Sequence, residues 1–324
     1  MRWYIYSEQT ATQQIEFFTS AAQLALELIP PCMCFLHQLI GKIQTTDVAA
    51  EADYFLVPAL VNLPYGPLPT ALDADLHRYL FSLPHFAVAP ERHVIFLLGD
   101  NHEVPAVCRE SLVFMPSCRK SSRVFPMHYF ADPPASPLMP IEQCDFQASF
   151  QGALTGFGLR HRLVQALRDR PRADVKHRVT DGYFYLAYDV QQQGSLRAEF
   201  IDLLARSRFI FCPRGDGLTS MRFYETIAYG RLPILIADET GLPLEQVIPY
   251  EQFVVRVPEK EVEHWDEYLD AFLMAHPDLN VCSSVAQNTY RHWFTLETAA
   301  RMVEESILQG DLRPEISSGR ARLF

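Results

Sequence analysis

Apolar residues in this chain follow two alternating rhythms. Short runs that are apolar at nearly every position predict strands buried on both faces, and stretches with apolar residues three or four apart predict amphipathic helices. The clearest series spans residues 207–238. Residues 208–212 read as a buried strand and 213–217 as a Pro/Gly-containing loop. Thr219 or Ser220 supplies a helix N-cap, and Met221, Tyr224, Ile227 and Ala228 recur at helical spacing. Gly230 stands where a left-handed C-terminal residue is wanted, and residues 232–237 form a second buried strand. A strand, helix, strand unit of this kind makes its two strands parallel.

The same alternation runs through the rest of the sequence. In the first half, residues 3–6, 33–36, 54–58 and 94–98 read as strands, and 12–28 and 70–83 as helices. Pro116, Pro126, Pro133, Pro134, Pro137 and Pro140 crowd one stretch, which therefore reads as loops and a domain connection. In the second half, strands at 148–153, 175–179 and 253–257 join those of the first unit. Helices are expected at 159–168, 196–205 and 261–275, and over about 284–309, where Trp293 and Phe294 are packing residues. Strands separated by helices predict parallel, doubly wound α/β sheets. With 324 residues the chain has room for two such domains, 1–145 and 146–324, facing a cleft. This division leaves the last helices available to pack back on the first domain.

Charge narrows the partners. Lys and Arg total 28 against 39 Asp and Glu, a net charge of −11, which argues against nucleic acid and leaves at most peripheral membrane contact. No run reaches the roughly 18 apolar residues of a spanning helix, since residues 21–40 are interrupted by Glu27, Pro30, Pro31 and His37. The seven cysteines are odd in number and contain no C-x-x-C pair, which favours reduced, buried thiols. Cys32 and Cys34 would share one face of a strand, too few ligands for a zinc site. A cytoplasmic location is the expectation.

The first unit also carries the candidate chemistry. Arg214 lies in its loop, and Arg222 and Glu225 share one helix face within two turns. A helix N-terminus at the C-terminal edge of a parallel sheet presents unpaired N–H groups and partial positive charge. Two arginines beside it suit a diphosphate, and a carboxylate one turn on suits ribose hydroxyls. An ordinary surface ion pair between Arg222 and Glu225 fits the spacing equally well.

The wording of this stretch adds weight. Residues 211–215 (FCPRG), 220–225 (SMRFYE) and 230–236 (GRLPILI) resemble the signature of the exostosin-like glycosyltransferases. So do residues 51–58 (EADYFLVP), 148–153 (ASFQGA) followed by Arg160 and Leu163, and 248–255 (IPYEQFVV). Thr226, where the family usually has Ala, and Arg231, where a small residue or Cys is common, depart from it. The resemblance implies the glycosyltransferase B fold, a first domain on the acceptor side and a second that binds a nucleotide sugar. It implies an inverting transfer to a glycan or lipid-linked saccharide, from a UDP-linked donor; because the arginines and helix N–H groups would neutralise the diphosphate, no metal or other cofactor is expected. Donor contacts would come from Arg160, Arg214, Gly215, Ser220, Arg222 and Glu225, although a solvated run of Arg160, His161 and Arg162 explains Arg160 equally well. Single displacement also needs a base from the first domain, at a strand end. Asp100, His102 and Glu103 follow the strand at 94–98 and are the candidates, although a capped turn explains them as well.

Other signals point elsewhere and are weaker. Asp73 and Asp75 spell the D-x-D of metal-dependent transferases, but they fall in the first turn of an expected helix, where acids complement the dipole. Gly152, Gly156 and Gly158 lack dinucleotide-fingerprint spacing, and the tripeptide at 214–216 (RGD) is a chance match. A phosphorylase would need a pyridoxal-holding lysine that the signature lacks. A nucleotide-sugar epimerase of the same fold, and a non-catalytic protein that binds glycans or stabilises a partner, remain as alternatives.

Overall fold

A computed structural model of the chain describes residues 1–6, 35, 38–63, 66–119, 121–128, 131, 134, 138–154, 158–180, 182 and 188–311. Eleven strands among them form two parallel sheets. The first contains β1 (Arg2–Ile5), β2 (Gln44–Thr45), β3 (Tyr54–Asn62), β4 (His93–Leu98), β5 (Leu112–Met115) and β6 (Val124–Pro126), in the order β2-β1-β3-β4-β5-β6. The second contains β7 (Phe146–Ala153), β8 (Val175–Thr180), β9 (Ser207–Pro213), β10 (Leu232–Ile236) and β11 (Val255–Val257), in the order β11-β10-β9-β7-β8. These are two Rossmann-like units. In each, strand order reverses beside the first strand, so the second sheet has its switch point between β7 and β9.

Helices α1 (Thr70–Ser82), α2 (Leu159–Asp169), α3 (Val190–Ala205), α4 (Met221–Ala228), α5 (Trp265–Ala275), α6 (Leu279–Trp293) and α7 (Ala299–Asp311) complete the described frame. One buried cluster runs from Trp3, Phe96 and Phe114 through Phe294 and Met302 to Phe209 and Trp265, so the two sheets share a core. The Trp3 indole donates to Glu304 of α7 at 2.9 Å, which ties the C-terminal helix to the first sheet. No helix among the described residues is long and apolar enough to cross a membrane.

Several elements differ from the sequence expectation. Phe35 is helical, as are residues 38–40; Phe35 and Leu39 are both fully buried, four residues apart, which is helical rather than strand spacing. The proline-rich stretch contains a strand after all. β6 lies at the sheet edge and ends on Pro126, where a missing N–H costs no ladder bond. Helix α3 starts at Val190, earlier than expected, because Asp189 and Gln192 form a capping box in front of a polar first turn. The predicted helix at 12–28 and the Cys32 and Cys34 thiols lie outside the described residues. The described cysteines, Cys108, Cys118, Cys144, Cys212 and Cys282, are buried and free.

Candidate active site

The donor-side residues gather at the switch point. Arg222, in the first turn of α4, turns inward: its guanidinium donates to the Gln151 carbonyl of β7 and, at 3.4 Å, to the Phe211 carbonyl of β9. The group lies 4.9 Å above the Phe150 ring and 5.8 Å from that of Phe200. Such close seating depends on Gly152, because a Cβ there would stand 2.7 Å from Arg222 Nη2. Burial lowers the proton affinity of Arg222, with Cys212 and Glu225 opposing.

Arg160, in the first turn of α2, spans the same crevice. It donates to the Ala153 carbonyl at the end of β7 at 3.3 Å, and its Nη2 lies 3.2 Å from where a Cβ on Gly215 would be. Burial and the neighbouring Arg222 push its pKa down to about 10, while Asp216 and Asp100 pull the other way. Two half-buried cations that disfavour each other, at the C-terminal edge of a parallel sheet and the N-terminus of a helix, make a site that an anion stabilises.

The remaining donor candidates have protein partners. Glu225 holds Arg197 of α3, and its carboxylate is mostly covered. Arg214 is bound in a fork by Glu259, at 2.7 and 3.0 Å. Glu259 also accepts from the Asp238 N–H and donates its own N–H to Asp238, so Arg214 locks the loop beyond β10. Gly215 N–H reaches the Thr219 carbonyl at 3.4 Å. Ser220 is the N-cap of α4, buried, with no side-chain cap bond. The two family departures are structural: Thr226 is buried, donating to the Arg222 carbonyl, and Arg231 is buried with its guanidinium on the Met139 and Ala205 carbonyls.

Across the crevice stands the end of β4. Gly99 has φ +101°, which turns the chain and places Asp100 against the donor loop. A Cβ on Gly217 would lie 2.8 Å from Asp100 Oδ1 and 3.0 Å from Ser117 Oγ. Ser117, just after β5, accepts the Leu218 N–H at 2.8 Å and donates to the Asp100 carbonyl at 3.3 Å. Asn101 is buried and braces the turn through the Gly66 carbonyl and the Glu103 N–H. His102 lines a separate hollow with Arg109 and Arg123, and Glu103 is exposed. His128 lies in the core, 5.0 Å from the Phe294 ring. Of the base candidates, Asp100 is therefore the one set beside Arg160 and the donor loop. Sequence reasoning missed Arg197, Ser117 and Glu259; none belongs to a local motif, and each is joined to the site only by folding.

The Exostosin GT47 domain profile matches residues 33–272 of this chain. A probable beta-1,4-xylosyltransferase of Arabidopsis thaliana is 38% identical over 74 residues, 23% of this chain and 17% of that protein. A probable glucuronosyltransferase of Physcomitrium patens is 26% identical over 183 residues, 54% of this chain and 35% of its own length. The chain thus spans well under half the length of these relatives in the matched regions. A solved glycosyltransferase from Rickettsia africae is 10% identical, with TM-score 0.46 over 97% of this chain and 99% of that one.

Proposed function

This chain belongs to the exostosin GT47 family, and from that membership we propose that it is an inverting glycosyltransferase moving a sugar from a nucleotide-sugar donor to a saccharide or lipid-linked saccharide. The observation that carries this reading is the pair of half-buried arginines, Arg160 of α2 and Arg222 of α4, whose guanidiniums reach the strand-end carbonyls of β7 and β9. Diphosphate is the leaving group. Its negative charge grows as the bond to the anomeric carbon breaks, and fixed cations with first-turn N–H groups stabilise that charge without a metal. Glu225, held by Arg197, is the group assigned to the donor's ribose hydroxyls. Asp100 takes the proton from the acceptor hydroxyl as its oxygen attacks the anomeric carbon, and then passes it to solvent. Arg214 acts as a clamp on the loop through Glu259.

Calorimetry with UDP in the presence of a chelator tests the reading. Binding should persist, and Arg160→Ala and Arg222→Ala should each abolish or greatly weaken it. Loss of all wild-type binding under chelation would move the mechanism to a metal; full binding by both variants would remove the site.

A further inference from the structure

The first sheet carries a hollow of about 340 Å³, lined by His102, Arg109, Ser111, Arg119 and Arg123 among others, with no carboxylate in the lining. This is a concentration of positive charge in a chain whose net charge is −11. Arg119 is paired with Glu239 at 2.7 Å. Among the described residues the Arg123 guanidinium meets an uncharged acceptor, the Glu110 carbonyl at 3.0 Å, and neither Arg123 nor Arg109 has an acidic partner within ion-pair distance. Two polar atoms at the wall are buried without a hydrogen bond: the Ser111 hydroxyl, on a fully buried residue, and His102 Nδ1. Buried polar atoms of this kind are costly to leave unpaired, so their presence in a cationic hollow points to a ligand that accepts hydrogen bonds. Guanidinium forks match carboxylate and phosphate oxygens. Two lining residues continue from the site: His102 follows Asp100 by two residues, and Arg119 follows Ser117, which accepts the Leu218 N–H, by two.

We propose that this hollow is an oxyanion subsite for the acceptor, taking a carboxylate or phosphate group carried by the saccharide that is to be extended. Its role as an acceptor subsite rests on the glycosyltransferase reading; its preference for an anion rests on the hollow alone. The test uses the full chain saturated with UDP, so that Arg160 and Arg222 are occupied, titrated with glucuronic acid, glucose 1-phosphate and glucose. One of the two anions should bind about tenfold or more tighter than neutral glucose, and Arg109→Ala and Arg123→Ala should each weaken it by about tenfold. Both arginines are exposed, and thermal melting of each variant checks that the fold survives. A preference for glucuronate identifies an acidic polysaccharide as acceptor, and a preference for the phosphate a phospholipid-linked one. The proposal is overturned if neither anion binds better than glucose, or if both variants bind like the wild type. Should UDP fail to bind while the anion and its arginine dependence persist, the donor reading falls and the subsite stands.

Discussion

Arg222 shows how one side chain can serve both packing and charge. Its hydrogen bonds go to carbonyls of two neighbouring strands and its flat face lies over Phe150, so it is fixed before any ligand arrives. Removing it should cost on the order of 3 kcal/mol of transition-state stabilisation, roughly a hundredfold in turnover. Gly152→Ala offers a finer probe. The added methyl clashes with the far end of Arg222 and otherwise makes an ordinary contact with the Phe150 ring, so melting temperature should change little while donor affinity falls by about tenfold as the guanidinium is displaced. Unchanged affinity would show that the seat of Arg222 is unimportant. Asp100→Asn removes a proton acceptor and keeps the shape of the turn. Transfer should drop by on the order of a hundredfold or more with nucleotide affinity nearly intact, and an active variant would exclude Asp100 as the base.

Helix α3 carries Arg197, the partner of Glu225, and is therefore an element on which the proposed donor site leans. Its start is set by the reciprocal bonds of Asp189 and Gln192. Asp189→Ala should destabilise the protein by about 1 kcal/mol, measured by denaturant unfolding, and a change near zero would mean that tertiary packing alone holds the first turn. Helix α4 is closed by Gly230, two residues past its end with φ +61°, and the N–H of Arg231 returns to the Thr226 carbonyl at 2.9 Å. This stop, and the strand entered immediately after it, were legible in the sequence because glycine placement and apolar runs are local. The early start of α3 was not, since its first turn is polar and its cap depends on side-chain geometry. The edge strand β6 was hidden for a related reason: proline is excluded from a ladder only where its N–H is needed.

The two units meet through very little space. Gly217 permits the donor loop to touch the Asp100 turn, so Gly217→Ala should push base and donor apart. The expected result is a fall in kcat with donor affinity retained; equal loss of both would place the effect within the second sheet. Two buried histidines also predict a response to acid. Burial pushes His128 down to about 3 and His93 to about 4, against 6.5 for an exposed imidazole. The unfolded chain binds protons at these groups where the native chain does not. Stability from them is complete above about pH 6.5 and is lost as pH falls towards the native values, by about 1.4 kcal/mol per pH unit for each histidine. Unfolding free energies measured between about pH 7 and pH 5 should show this slope, and His128→Phe should reduce it by about one proton. An unaltered slope in that variant would mean that His128 is protonated in the native protein.

Local patterning was enough to specify two parallel α/β sheets, the strand, loop and helix that carry Arg222, and the family to which the chain belongs. Burial on both faces of a strand and one face of a helix leaves a periodic trace in the order of residues, and the C-P-R-G stretch is contiguous. The pairing of charges was a different matter. Arg214 and Arg222 look alike in the sequence, yet Glu259 claims the first and the strand-end carbonyls claim the second. Likewise Asp100, His102 and Glu103 form one polar cluster on paper, and the sharp turn at Gly99 with the brace of Asn101 sends them to different surroundings. Electrostatic partners fall off with distance in space, and residues far apart in the chain become neighbours only when the two sheets have packed.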